Sequence, residues 1–220
     1  MDVRHTAAPR RGRPLVDDKR RRVLDAALAM FAERGYHGTT MPDVAKASKV
    51  GIGTLYHYFE DKQRLVNEVF RDFKLQLRAA LLDGLADPNV EEPGAVEAYF
   101  RELWTRLARY AERSPHAVRF LEMQDHADYL DDESRRLEAS VLVPIFTVMK
   151  RVGDRAGLEH PDHVFAMMWG SFVGLVKASR LRYISVDAAA MDEASAISWR
   201  MFAPEAALAA SPERRRKKRG

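Results

Sequence analysis

A chain of 220 residues with no cysteine excludes a disulfide framework, a thiolate metal site and a cysteine nucleophile. Its 46% hydrophobic content is that of a folded globular protein, and no apolar run approaches the roughly 18 residues that cross a bilayer. The net charge of +4 is unevenly spread: residues 1–62 hold 12 Lys and Arg against 8 Asp and Glu, residues 63–213 hold 18 against 24, and Arg214 to Arg219 form a run of six basic residues. A basic head on an acidic body implies a polyanion met at one end of the fold, although ordinary surface charge gives the same sign.

Met1 to Arg13 lack the apolar stretch of a signal peptide, so the expected compartment is the cytoplasm. Residues 1–16 read as a flexible basic arm. Its Arg10-Arg11-Gly12-Arg13-Pro14 segment suits a narrow, negative minor groove, or else stays solvated. A first helix is expected from near Asp18 to Arg34, closed by Gly35, with Val23, Ala26, Ala27, Met30 and Phe31 on one apolar face.

The stretch from Thr39 to Lys62 organises the rest. Thr40 is a good N-cap, Pro42 fits a first turn, and Asp43 stands three residues past the cap. Ser48 to Gly51 reads as a turn, and Gly53 to Phe59 as a second short helix. Leu55 and Phe59, at i and i+4, can anchor that helix, leaving Thr54, Tyr56, His57 and Tyr58 nearer its outer side. A helix, a tight turn and a second helix with an exposed polar-aromatic face is how side chains are offered to a DNA groove.

A fourth helix follows an Asp61 cap and reaches about Leu82, and Pro88 and Pro93 mark a loop. Helix 5 is expected over about 95–113, and helix 6 from Ser114-Pro115 to about Ala127. Helix 7 runs from Asp131-Asp132 to about Arg155 with Pro144 inside it, where a kink is expected. Helix 8 starts at Pro161 and helix 9 spans about 188–202. No strand alternation appears anywhere. The expected fold is all-α with about nine helices: a helix-turn-helix head over 17–77, a helical domain over 78–205 and a basic tail over 206–220. Helix 8 is apolar nearly all round, so it should be buried on both sides.

The segment Arg22 to Leu65 resembles the DNA-binding domain of the tetracycline-repressor (TetR) family. The residues that carry the likeness are Ala26-Ala27, Phe31 to Tyr36, Thr39-Thr40, Asp43-Val44-Ala45, Val50, Gly53 to Phe59, Lys62 and Leu65. Two positions depart from the family pattern: Lys49 stands where glycine is usual, and Gly51 where Ser or Thr is usual. The resemblance implies phosphate contacts by Thr40, Tyr56, Tyr58 and Lys62. Lys49 is placed in the turn to reach another phosphate. Base reading would then fall to Ile52, Gly53, Thr54 and His57, with Ile52 limited to a thymine methyl.

The resemblance further implies a homodimer on a palindromic double-stranded DNA operator, a small-molecule effector, and helices 8 and 9 pairing with their mates. Met167, Gly170, Ser171, Gly174, Ala178, Ala194, Ile197 and Met201 are the candidate dimer residues. Phe100, Trp104, Phe120, Met123, Gln124, Phe146, Met149 and Trp169 are candidates to line the effector pocket, though such stripes also form ordinary cores. Glu122 and His126, one helical turn apart, could share an ion, but surface ion pairs are the ordinary outcome. No metal, cofactor or catalytic set is expected. Two alternatives stay open: a DNA-binding regulator with no small-molecule ligand, and an α-helical enzyme with a coincidental head.

Overall fold

The computed structural model describes residues 13–92, 94–121 and 128–202. Among these the chain is all-α, with no strand. Its helices are α1 (Arg13–Arg34), α2 (Met41–Ser48), α3 (Ile52–Tyr58), α4 (Lys62–Leu82), α5 (Ala95–Arg113), α6 (Pro115–Leu121), α7 (Asp132–Ala156), α8 (Pro161–Arg180) and α9 (Ala188–Phe202). Their order and most of their boundaries fall where capping residues and periodicity put them. One end differs. Helix α1 starts at Arg13, so the end of the expected arm is helical. Pro14 is then the second helical residue, where its missing N–H costs nothing and its fixed φ suits a helix. The rest of the arm, residues 122–127 and the basic tail from 203 to 220 lie outside the described residues.

The chain divides into two compact units. The first comprises residues up to Arg71 together with Arg119–Asp131, and the second Asp72–Val118 together with residues from Asp132 onward. The first unit therefore takes in two separate stretches of sequence. The division falls inside α4.

In the first unit the apolar face of α1 is buried through Val23, Ala27, Met30 and Phe31, as are Val44 and Ala45 of α2 and Leu65, Val66, Val69 and Phe70 of α4. Gly35 closes α1 at φ 75, and its N–H donates to the Phe31 carbonyl at 3.0 Å. Polar groups fasten the second stretch. The buried Asn67 amide donates to the carbonyls of Gln63 (2.9 Å) and Tyr129 (2.7 Å), and its oxygen accepts the Asp131 N–H at 2.9 Å. Arg71 grips both Asp131 oxygens at 3.0 and 2.9 Å and donates to Glu68 at 3.1 Å, while Glu68 also accepts from Arg20 at 2.7 Å. Burial pulls the Arg71 pKa down, but the hydrogen bonds and charges of Asp131 and Glu68 outweigh it and leave it raised. A forked cation with a bidentate partner holds geometry better than a point charge.

The second unit is built on aromatic rings. Phe100 and Trp104 of α5 lie 5.7 Å apart by centroid. Phe172 of α8 meets Trp104 edge-on at 5.2 Å, and Trp199 of α9 lies 5.6 Å from Phe100. Arg106 donates to the carbonyls of Leu81 (3.1 Å) and Asp83 (2.9 Å), so the end of α4 has partners. Lys74 is buried beside Glu138 at 3.1 Å; burial lowers its pKa and Glu138 opposes the shift. Pro144 lies inside α7, as its position in the sequence requires.

Candidate nucleic-acid interface

The interface is built from α2, a three-residue turn and α3. Thr40 is extended (φ −116, ψ 153), its oxygen accepts the Asp43 N–H at 3.3 Å, and its hydroxyl donates to the Asp43 carboxylate at 2.8 Å. That start satisfies one of the open donors of α2. At the other end Lys49 sits in the left-handed region (φ 55, ψ 40), with its N–H on the Lys46 carbonyl at 3.2 Å and the Val50 N–H on Ala45 at 3.0 Å. A left-handed residue reverses the chain, and one with a side chain costs about 1 kcal/mol relative to glycine. The departure at Lys49 thus keeps the turn at some cost in stability.

Helix α3 starts from Gly51, which supplies no side-chain cap. Its hold comes from Leu55 and Phe59, 0% and 1% exposed, with the Arg20 guanidinium 5.8 Å from the Phe59 ring centre. Burying two such side chains outweighs a missing cap several-fold. The opposite side is open. Ile52 is 44% and Tyr56 48% exposed, Gly53 and His57 are exposed, and Thr54 and Tyr58 are half-buried. A Cβ added at Gly53 would meet nothing within 4 Å. Thr40 and Lys49 are exposed as well. The exposed and half-buried residues of this segment thus offer hydroxyls, an ammonium and an imidazole, together with the apolar Ile52.

Lys62 is placed differently. Its ammonium donates to the Tyr36 carbonyl at 3.0 Å and lies 4.2 Å from the centre of the Tyr36 ring. That ring stacks on Tyr129 at 4.5 Å, and burial, with the Asp61 charge adding to it, raises the pKa of its hydroxyl. The charge of Lys62 is engaged inside its own unit.

Three of the expected pocket residues, Phe100, Trp104 and Trp169, meet in or beside one ring cluster. Phe100 and Trp104 share the ring cluster, and Trp104 Nε1 is buried with no hydrogen-bond partner among the described residues. Phe146 pairs with Phe165 at 6.0 Å, and Met149 is buried. Trp169 is exposed on one side and stacks on Phe172 at 6.3 Å, and Phe120 packs against Phe31 in the first unit. Met123 and Gln124 lie outside the described residues, as do Glu122 and His126. Phe172 and Trp199 belong to the cluster although the sequence did not single them out for it.

Of the expected dimer residues, Met167 (61%), Ile197 (46%), Met201, Gly170 and Gly174 are exposed, and Ser171, Ala178 and Ala194 are half-buried. Ser171 Oγ donates to the Met168 carbonyl at 2.7 Å and lies 3.2 Å from Ser198 Oγ, so its hydroxyl serves α8 and α9 of the same chain. A Cβ added at Gly170 or Gly174 would meet nothing within 4 Å.

Residues 23–69 match the family model for bacterial regulatory proteins of the tetR family. The HTH-type transcriptional repressor KstR2 of Mycobacterium tuberculosis is 32% identical over 124 residues, covering 55% of this chain. The chain spans only 62% of the length of that curated relative. A solved TetR family transcription regulator from Marinobacter aquaeolei superposes with a TM-score of 0.73 at 21% identity, covering 86% of this chain and 98% of the other. The regulator FadR of Bacillus subtilis, solved in complex with stearoyl-CoA, superposes at 0.59 with 14% identity, covering 84% and 98%. At these identities the structures speak to the fold, and the likeness runs through both units.

Proposed function

We propose that this chain, whose residues 23–69 match the family model for bacterial regulatory proteins of the tetR family, is a member of that family and a sequence-specific DNA-binding transcriptional regulator: a homodimeric repressor released from a palindromic operator by a small hydrophobic ligand. The observation that carries this reading is α3, anchored by Leu55 and Phe59 and open along Ile52, Gly53, Tyr56 and His57. Tyr56, Tyr58, Thr40 and Lys49 would hold phosphates and fix register; Ile52, Gly53, Thr54 and His57 would face base edges. No Arg, Asn or Gln stands on α3 to make a bidentate base contact. Direct readout is then modest, and groove shape carries part of the specificity. Lys62 acts indirectly, by holding Tyr36 and the turn after α1.

Two heads on two half-sites are needed for useful affinity and specificity. The exposed apolar residues of α8 and α9, with open space over Gly170 and Gly174, support pairing with a second copy. Gly174→Leu should leave the protomer folded, because a Cβ there meets nothing within 4 Å among the described residues and the position is exposed, yet abolish the dimer in sedimentation. A stable Gly174→Leu dimer would remove that face from the proposal.

The ligand reading is supported by the unpartnered Trp104 N–H, a donor that an acceptor on a bound molecule would satisfy, and by the acyl-CoA held by FadR. Its mechanism is a coupling free energy: a ligand that prefers a different spacing of the heads weakens operator binding by the same factor that DNA weakens ligand binding. The alternative, a regulator with no small-molecule ligand, is favoured by the mutual packing of Phe100, Trp104, Phe172 and Trp199 at 5.2–5.7 Å, which also describes an ordinary core. A thermal-shift panel of metabolites separates the two, since a true ligand stabilises by mass action.

The DNA claim is tested by selecting bound genomic fragments with the wild type, Tyr56→Phe and Thr54→Ala. One palindrome is expected, with Tyr56→Phe weakening all sequences alike and Thr54→Ala relaxing one position. Recovery of salt-sensitive binding without a preferred sequence would overturn the specific-regulator reading.

A further inference from the structure

The geometry points to a binding site for a late first-row divalent cation at His160, Asp162 and His163, a place where the sequence reading expects no metal. Each side chain is exposed and offers one ligand atom, and the three ligand atoms lie within 4.8 Å of one another. The two imidazole rings face each other at 4.8 Å between centroids, and His163 Nε2 lies 4.0 Å from the Asp162 carboxylate. Two imidazoles and one carboxylate suit zinc, nickel or copper rather than magnesium or calcium, which favour all-oxygen shells.

Three features favour a site over a chance grouping. The first is that the side chains are uncommitted. His160 stands at the N-cap of α8 but makes no side-chain cap. Apart from the 4.0 Å approach of His163 to Asp162, none of the three side chains forms an ion pair or a hydrogen bond among the described residues. Acidic residues elsewhere, such as Asp131, Glu68 and Glu138, are bound to Arg or Lys. The second is rigidity of the support. Pro161, between the ligands, is buried against Gly153 so closely that a Cβ added there would lie 2.5 Å from the proline Cβ, and the Leu158 N–H is held by the Gly153 carbonyl at 2.9 Å. The backbone that carries the ligands is thus fixed before any ion arrives. The third is reach. Donors about 2.0–2.2 Å from an ion stand roughly 3.3 Å apart, so the exposed side chains need only rotate about their own bonds. The partial positive charge at the start of α8 opposes a cation, and Asp162 in its first turn offsets it. Three protein ligands leave at least one position on the ion for water or for a ligand from outside the chain.

The test is calorimetric titration of the full chain with zinc chloride, in parallel with His160→Ala, His163→Ala, Asp162→Asn and His126→Ala. The last variant removes the imidazole at the other candidate pair, with Glu122. One equivalent binding in the micromolar range is expected for the wild type and for His126→Ala. Loss of either His160 or His163 should weaken it by more than about tenfold, since even an outer partner of a metal ligand changes affinity that much, and Asp162→Asn should weaken it less. All three positions are exposed, so the variants should keep the wild-type circular dichroism and melting temperature in the absence of zinc. Absence of binding below a millimolar, or binding that follows His126 and ignores His160 and His163, would overturn the site.

Discussion

The two short helices of the head, α2 and α3, stand three residues apart in sequence and are held by opposite means. Helix α2 is finished at both ends: Thr40 and Asp43 close its start, and the left-handed Lys49 closes its end. Helix α3 has a glycine at its start and no side-chain cap, and it hangs on Leu55 and Phe59. A support can use its own polar side chains for caps. A displayed surface leaves them uncommitted, and its stability has to come from the buried side.

That contrast can be broken first at Leu55. Leu55→Ala should cost about 3 kcal/mol in urea unfolding and take DNA binding with it, because only Phe59 would then hold α3 to the core. A loss below about 0.5 kcal/mol would show that α3 has another support. Lys49→Gly should act in two directions. Relief of the left-handed backbone should raise stability by about 1 kcal/mol, while loss of one phosphate contact should lower affinity and reduce the slope of log K against log salt by about 1. If stability rises and the salt slope stays as it was, Lys49 shapes the turn and touches no DNA. Thr40→Ala should destabilise by about 1 kcal/mol, seen as a lower urea midpoint at unchanged slope. The smallest change is expected at the other start: Gly51→Ser supplies the absent cap and should add only a few tenths of a kcal/mol. A gain at Gly51 as large as the loss at Thr40 would erase the distinction between the helices.

How much of this is legible in the sequence depends on how far apart the partners stand. The Thr40 cap, the Gly35 terminus and the Leu55–Phe59 pair are all spaced within a helical turn, so residue type and interval suffice. The grip on residues 119–131 is different, because Asn67 meets Tyr129 and Arg71 meets Asp131 some 60 residues away. Sequence carries only half of that signal. Asn67, Arg71 and Lys74 recur at i, i+4 and i+7 beside Val66, Phe70 and Phe73, a buried polar stripe that requires partners without naming them. Lys62 is similar: the resemblance assigned it to DNA, and its bond to the Tyr36 carbonyl has no local mark. Aromatic spacing in the body could not separate Phe100, in the ring cluster, from Phe120, which packs on Phe31. Helical period reports that a residue is buried, and says nothing of which neighbours it meets.

The two-stretch first unit also bears on how this chain can be recombined. Residues 119–131 belong to the first unit although the chain on both sides of them belongs to the second. A graft of residues 1–77 onto a foreign body would leave the Asn67 amide and the Arg71 fork facing whatever that body supplied. A chimera made in that way exchanges a lock without its keyhole. A crossover within α4 should then be tolerated only when both stretches of the first unit move together.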